Sequence, residues 1–348
     1  MITAIIPAVD EPDIDATIRS LLAQNPSPSR IIVAWNNASS SVTADAVARV
    51  QDSRVELHDL GSVSGRKAGA INKVLPEVDT ELVLVMDADT VMGPDFLQTA
   101  VKTLENKEIA AVGGVFHGVK PQGFLQWCQY LEYERFSREV ERTRRVMVLT
   151  GTGSVLRMSA LRAVRQGRAE GLLSGEDFYD ATAITEDNEM SLALKSCKYL
   201  LASPKECSTT TELMGTWKDL QKQRIRWYRG ALDNLRTYGY TNTTRRYWFQ
   251  QVMLLLSVLT FSSYVFISAV SLSMGWFSIS PIWLLVGAVF LLERVITVWH
   301  TGWRGRLLAA LLIPELIYSG TLQVAFLRGI LAHVKGSVPE WHQAIGVR

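Results

Sequence analysis

Short runs of Ile, Val and Leu alternate with helix-period segments through the first third of the chain. Residues 3–9, 30–36, 55–60, 81–87 and 109–116 are such runs. The first, second and fourth are almost continuously apolar, the pattern of strands covered on both faces. Between them, residues 13–24 place Ile14, Ile18, Leu21 and Leu22 on one stripe. Residues 44–51, 66–75 and 94–105 repeat that spacing, and Pro94 suits a first helical turn. Strands alternating with helices predict an α/β fold built on a parallel, doubly wound, Rossmann-type sheet. Ligands of such a sheet gather beyond the carboxyl ends of its strands.

The pattern then changes twice. Residues 123–145, 154–165, 187–198 and 217–238 carry helical periodicity. In the last of these, Arg224, Arg226, Arg229 and Arg236 interleave with Trp217, Ile225, Trp227, Tyr228 and Leu235. Basic and aromatic residues mixed on one helix suit a membrane surface, although a helix packed on the sheet reads similarly. From residue 247 onward the chain is apolar. Residues 247–276 and 281–299 are each long enough to cross a bilayer. A third segment, 307–334, contains Pro314 and Glu315, so a kinked, interfacial or re-entrant course competes with a straight span. Glu293, Arg294 and Glu315 are costly in such surroundings unless they pair between helices or face a polar path. The organisation expected is a cytoplasmic unit over 1–240, with halves 1–120 and 121–240. A membrane region over 245–335 with two or three spans and a tail over 336–348 follow.

Composition sharpens this only a little. The 48% hydrophobic content is high for a soluble enzyme of 348 residues, and the excess lies in the last third. A formal net charge of +2 gives no case for nucleic-acid binding. Cys128, Cys197 and Cys207 have no metal-ligand spacing and read as reduced thiols. No leader-like stretch opens the sequence. Arg245 and Arg246 before the first span, and Arg304 and Arg306 after the second, place the bulk of the chain in the cytoplasm.

Candidate chemistry sits where strands end. Asp87-Ala88-Asp89 closes the apolar run 82–85. Hard divalent cations take oxygen ligands and hold phosphates through one or two carboxylates. Ile6-Pro7-Ala8-Val9-Asp10-Glu11 follows the first strand. Gly65-Arg66-Lys67-Ala68-Gly69 opens a helix with two cations, a plausible phosphate site. Thr185-Glu186-Asp187 begins another helix with Thr185 at the capping position. Gln223-Arg224-Ile225-Arg226-Trp227 offers hydrogen bonds, a guanidinium fork and an indole face for a sugar.

In that order, these five motifs resemble those of the inverting family-two glycosyltransferases, and more narrowly the processive branch of cellulose, chitin, hyaluronan and poly-N-acetylglucosamine synthases. The motifs cover about residues 1–240, and the apolar helices match the rest by architecture. The resemblance implies a GT-A-like domain followed by interface helices and a membrane region. It implies a nucleotide-sugar donor, UDP-linked by the family's habit, and a glycan or lipid-linked acceptor. It assigns Asp87 and Asp89 to Mn²⁺ or Mg²⁺ and Asp187 to the general base. Pro7, Ala8, Glu11, Asn36, Asn37, Arg66, Lys67, Asp87, Ala88, Asp89, Gln223, Arg226 and Trp227 would surround the donor. Gly151, Thr152, Gly153, Glu186 and Trp227 would frame the acceptor.

Two departures matter. Where the family has an acidic turn that reads uracil, this chain has Trp35-Asn36-Asn37-Ala38. No span precedes the catalytic motifs, so a polymer channel would require a homo-oligomer. A single transfer to a polyprenyl phosphate or other lipid is the rival activity. A catalytically silent membrane scaffold is the rival of another class.

Overall fold

In the computed structural model, residues 1–276 and 280–336 are described. The tail expected over 336–348 lies outside them apart from Gly336. The first four strands are β1 (Ile2–Ala8), β2 (Arg30–Trp35), β3 (Val55–Asp59) and β4 (Leu82–Val85). They are followed by β5 (Val91–Met92), β6 (Ile109–Gly113), β7 (Val115–Gly118), β8 (Ser154–Arg157), β9 (Leu200–Ala202) and β10 (Ser208–Thr211). The main sheet runs β3-β2-β1-β4-β8-β6-β9, and β5-β10-β7 form a second, small sheet.

Successive side chains of a strand point to opposite faces, and both faces of the main sheet are covered. On one, Ile5, Ile32 and Val83 pack with Ile71 and Val74 of α3 (Arg66–Val74) and Leu161 and Val164 of α6 (Met158–Ala169). On the other, Ala4, Ile31 and Leu84 meet Ile14, Ile18 and Leu21 of α1 (Ile14–Leu22), Val47 of α2 (Val42–Ala48) and Phe96 of α4 (Phe96–Thr103). The hydrophobic stripes of the sequence therefore account for the layers.

The sheet is mixed rather than wholly parallel. β8 runs antiparallel to both β4 and β6. It was hidden because Ser154–Arg157 leads directly into α6, so Val155 and Leu156 read as part of one helical stripe over 154–165. The apolar run 109–116 likewise divides at Gly114: β6 stays in the main sheet and β7 joins β10 in the small one. Helix α4 starts at Phe96, with Pro94 in the turn before it, closed by the Phe96 N–H donating to the Gly93 carbonyl.

Beyond the sheet lie α5 (Phe124–Thr143), α7 (Glu186–Ser196) and α8 (Trp217–Tyr238). The apolar third forms α9 (Arg245–Ser273), α10 (Pro281–Thr297), α11 (Gly302–Ala310) and α12 (Leu312–Lys335). Among the described residues, α9 alone is long and apolar enough to cross a bilayer as one helix; α10 and the 299–310 segment pass only as a pair bent by 58°. The third apolar segment breaks at Leu311, not at Pro314, which falls in the first turn of α12 where no helical N–H is missed. Helix α12 then lies along α8, burying Phe326, with the Tyr228 ring edge-on to it at 5.3 Å. Glu315 accepts from Arg135 of α5 at 2.6 Å and from Arg294 of α10 at 2.7 Å. Glu315 and Arg294 are thus packing pairs between helices.

Candidate active site

The carboxyl ends of β1, β2 and β4 and the first turns of α3 and α7 open into one cleft of ≈ 3000 Å³, roofed by α8. Strand β4 delivers Asp87 two residues past its last paired residue. The Asp87 N–H donates to the Gly151 carbonyl at 3.0 Å, which binds the loop before β8 to the end of β4. A Cβ on Gly151 would come within 3.0 Å of Asp87 Oδ2, 3.1 Å of Lys67 Nζ and 3.6 Å of Asp187 Oδ2. Three chemically active side chains therefore converge on one bare backbone position.

Lys67 bridges them. Its ammonium lies 2.6 Å from Asp87 Oδ1 and 2.8 Å from Glu186 Oε1. Burial alone would depress it, but the two carboxylates outweigh burial and hold its pKa well above the usual lysine value. Burial would also raise Glu186; Lys67, with help from Arg226, lowers it instead. Asp187 is pushed up to about 6, first by burial and then by the Glu186 charge, against the pull of Lys67 and the Asn188 N–H. Asp89 looks into the cleft beside Asp87, Glu11 and Glu212; desolvation and those three charges raise it to about 7. The Thr90 hydroxyl is its hydrogen-bond donor at 3.2 Å.

Among the described residues, no three His, Cys, Asp or Glu side chains converge tightly enough to hold a metal alone. Asp87 and Asp89 do fit a hard divalent cation that completes its shell with phosphate oxygens and water. Burial first, and then the charges of Asp87, Glu11 and Glu212, raise the Asp89 carboxyl; a bound cation would offset those charges.

Helix α8 docks onto the Thr185 turn. Gly230 allows it, because a Cβ there would sit 2.5 Å from Thr185 Oγ1. Thr185 stands at the capping position of α7, but its hydroxyl accepts from Asn234 Nδ2 at 3.2 Å rather than from its own helix. This contact carries Gln223, Arg226 and Trp227 over the cleft, where all three line it. Gln223 Oε1 is buried without a partner. Trp227 is half-open, with the Arg224 guanidinium 4.2 Å from its ring centre. Arg224 is itself buried and donates to Glu132 Oε2 at 2.8 Å; Glu132 also accepts from the Tyr318 hydroxyl of α12. The motif's first arginine thus positions the indole, while Arg226 faces Glu186.

Pro7, Ala8, Glu11, Arg66, Ala88, Gly151 and Thr152 also line the cleft, as do Asn36 and Asn37. Gly153 lies just behind, its carbonyl accepting from the Gly114 N–H at 2.7 Å. The asparagines are already engaged. Asn36 Nδ2 donates to the Ala8 and Ala34 carbonyls, and Asn37 Nδ2 to Asn36 Oδ1 and the Val63 carbonyl. Asn37 Oδ1 accepts from the Val63 N–H. Their amide hydrogens hold the turn together, leaving only acceptor oxygens for a base. Asp10, on the same rim, is lowered by the hydroxyls and N–H groups of Ser39 and Ser40 and holds their loop. Sequence reasoning missed Glu212, Glu132 and the distinct place of Arg224. Glu212 follows the short Thr-rich strand β10, which has no apolar period to betray it.

Residues 1–230 match the model of the family described as glycosyltransferase like family 2. The chain belongs to that family. Within family 2, it is 25% identical over 270 residues to a poly-β-1,6-N-acetyl-D-glucosamine synthase of Staphylococcus aureus strain MSSA476, covering 74% of this chain and 62% of that protein. A synthase of the same name from Staphylococcus epidermidis is 25% identical over 226 residues, 63% of this chain and 52% of its own. The chain thus spans little more than half the length of these curated relatives. A solved mannosyltransferase from Pyrobaculum calidifontis, in complex with GDP-mannose and Mn²⁺, superposes with a TM-score of 0.62 at 15% identity, covering 97% of this chain and 88% of that one. At that identity the likeness is one of fold, the GT-A type with its C-terminal helices.

Proposed function

We propose that this protein is an inverting glycosyltransferase working at a membrane. It moves a sugar from a nucleoside-diphosphate sugar to the hydroxyl of a glycan or lipid-linked acceptor, in a reaction dependent on Mn²⁺ or Mg²⁺. The observation that carries this reading is the convergence of Lys67, Asp87 and Asp187 around Gly151. The GDP-mannose and Mn²⁺ bound by the Pyrobaculum mannosyltransferase support the donor class. The Staphylococcus synthases support a glycan product.

Asp87 and Asp89 would hold the cation, which supplies charge neutralisation at the donor diphosphate. Lys67 and Arg226 would add fixed positive charge where the leaving group gathers electrons. Pro7, Ala8 and Arg66 would bound the nucleoside, with the oxygens of Asn36 and Asn37 as acceptors toward its base. The acceptor hydroxyl would lie between Asp187 and the anomeric carbon. Asp187 takes the hydroxyl proton, the hydroxyl oxygen bonds to the anomeric carbon, and the carbon–phosphate-oxygen bond breaks with its electron pair leaving on the nucleoside diphosphate. One displacement inverts the configuration. A pKa of about 6 leaves Asp187 ionised at neutral pH yet a better proton acceptor than an ordinary carboxylate.

The test is a donor screen by nucleotide release, using protein in detergent with Mn²⁺ or Mg²⁺, followed by Asp187→Asn. The variant should bind donor normally and lose about two to four orders of magnitude in turnover. Near-normal turnover with verified donor and acceptor would remove Asp187 from the base role. Asp89→Ala should abolish the metal-dependent part of donor binding, and calorimetry giving equal donor affinity with and without Mn²⁺ refutes that assignment.

A further inference from the structure

Phe136 of α5 stands in the wall of the cleft with 44% of its surface exposed. An open phenyl ring gains when something apolar covers it. Helices α10 and α11 do not. A helix turns about 100° per residue, so Phe136 lies about half a turn round α5 from Glu134 and Arg138. Those two residues and Leu131 face α10 and α11. Glu134 meets His300 Nε2 at 2.5 Å, Arg138 donates to the Ile296 carbonyl at 2.7 Å, and Leu131 packs on Val298 and Ala309.

Phe136 is instead the open end of a stack. Its ring lies on that of Phe116 of β7 at 5.1 Å and 29°, and Phe116 meets Tyr133 edge-on at 4.7 Å and 85°. Tyr133 is buried, with the Arg224 guanidinium 5.7 Å from its ring centre; the same guanidinium supports Trp227. Phe136 and Trp227 thus share one backing. Strand β7 also ties the stack to the reacting centre. Phe116 is in register with Thr209 of β10, whose hydroxyl donates to Thr152 Oγ1 at 2.9 Å, beside Gly151. Unengaged oxygens line the same cleft. Glu212 makes no hydrogen bond or ion pair among the described residues, and Gln223 Oε1 is buried without a partner.

We propose that Phe136, backed by Phe116, is a second stacking face for the acceptor, covering a sugar ring beyond the one that reacts beside Trp227. This rests on the glycosyltransferase reading above. The C–H face of a pyranose carries slight positive charge and meets the negative face of a phenyl ring. Its hydroxyls point outward in the ring plane, toward side-chain oxygens such as those of Glu212 and Gln223. A lipid chain would demand an apolar route to α10 and α11, and the far side of α5 presents Glu134, Arg135 and Arg138 there. Tyr133 and Arg224 lie between the two open rings, so one sugar cannot cover both. Phe136 is thus a specificity-determining residue that sets a preference for longer acceptors.

The test is calorimetric titration of the full chain in a polyoxyethylene detergent, which carries no sugar of its own. The probes are the mono- and tetrasaccharides of β-linked glucose, N-acetylglucosamine and mannose. In the series that binds best, the tetrasaccharide should bind roughly five- to tenfold more tightly than the monosaccharide. Phe136→Ala should erase that gain and Phe136→Trp should keep it. Both variants should keep the wild-type affinity for the monosaccharide and for a nucleoside diphosphate with Mn²⁺. Thermal melts check folding, and Phe136→Leu, apolar but without a ring, gives the same comparison if the alanine variant unfolds. The stacking face is overturned if no tetrasaccharide binds more tightly than its monosaccharide, or if the ringless variants retain the gain. Farnesol displacing the tetrasaccharide at similar concentration would make Phe136 a general apolar contact and overturn it as well. A wild-type protein that binds the tetrasaccharide through Phe136 but no nucleoside diphosphate would end the glycosyltransferase reading and leave the sugar site standing.

Discussion

Gly151 is the residue on which the cleft turns. It carries no chemistry, yet Asp87, Lys67 and Asp187 all face the space its missing side chain leaves. Gly151→Ala would push Asp87 and Lys67 apart by a few tenths of an ångström or tilt the loop before β8. We expect kcat/KM to fall about 10- to 100-fold with little change in melting temperature, because small misplacements of reacting groups are costly. Asp187 gives a pH-dependent counterpart. Its folded pKa of about 6 lies above the ordinary 3.8. A carboxyl raised in this way supports the fold below pH about 4 and loses that support as pH rises through 6. Asp187→Asn should therefore raise the melting temperature at pH 7 to 8 and leave it unchanged near pH 3.5; an equal shift at both values would refute the electrostatic account. At this scale the sequence was a partial guide. Asp87, Asp89, Glu186 and Asp187 were legible because each follows a strand or opens a helix. The commitment of the Asn36 and Asn37 hydrogens to the Ala8, Ala34 and Val63 carbonyls was not, because it depends on loops distant in sequence meeting in space.

At the scale of elements, α8 holds the roof of the cleft. The Arg224–Glu132 pair lies under Trp227, with the guanidinium almost wholly enclosed. Arg224→Ala would leave the Glu132 carboxylate and the Tyr318 hydroxyl without their cation and remove the support beneath the indole. We expect about 3 kcal/mol of destabilisation in denaturant titrations, the lower end for a broken buried pair because Glu132 is partly open to solvent. Arg226→Ala, which faces the cleft, should cost little stability and much activity. Similar losses of stability in the two variants would contradict this division. Periodicity gave α1, α3, α7 and α8 nearly as they stand, since each has one clear apolar stripe or motif start. It failed for β5, β8, β9 and β10, which have two to four residues each, too few for an alternation to register.

For the whole molecule, the exposed apolar length of α9 predicts that the protein sediments with membranes and resists extraction at alkaline pH without detergent. Release into the soluble fraction would show that α9 is covered by another chain rather than by lipid. Helices α10 and α11 bend away from a single axis, and the tie of Glu315 to Arg135 and Arg294 binds them back to α5. Hydropathy alone could not see this, because it measures apolar length and not the direction in which a helix leaves its neighbour.

Helix α12 has been described as a neighbour of α8, and that contact bears on how such a protein can change over time. Tyr318 reaches the acid that holds Arg224, and Phe326 sits against Tyr228, one residue past Trp227. A tail that served only to tether could be exchanged freely for any other apolar sequence. Here substitutions in the last helix bear on the helix that carries Gln223, Arg226 and Trp227 over the cleft, each change on one side narrowing what the other accepts. Grafting a foreign helix in place of residues 312–335 would strip α8 of its backing even with every motif residue left intact.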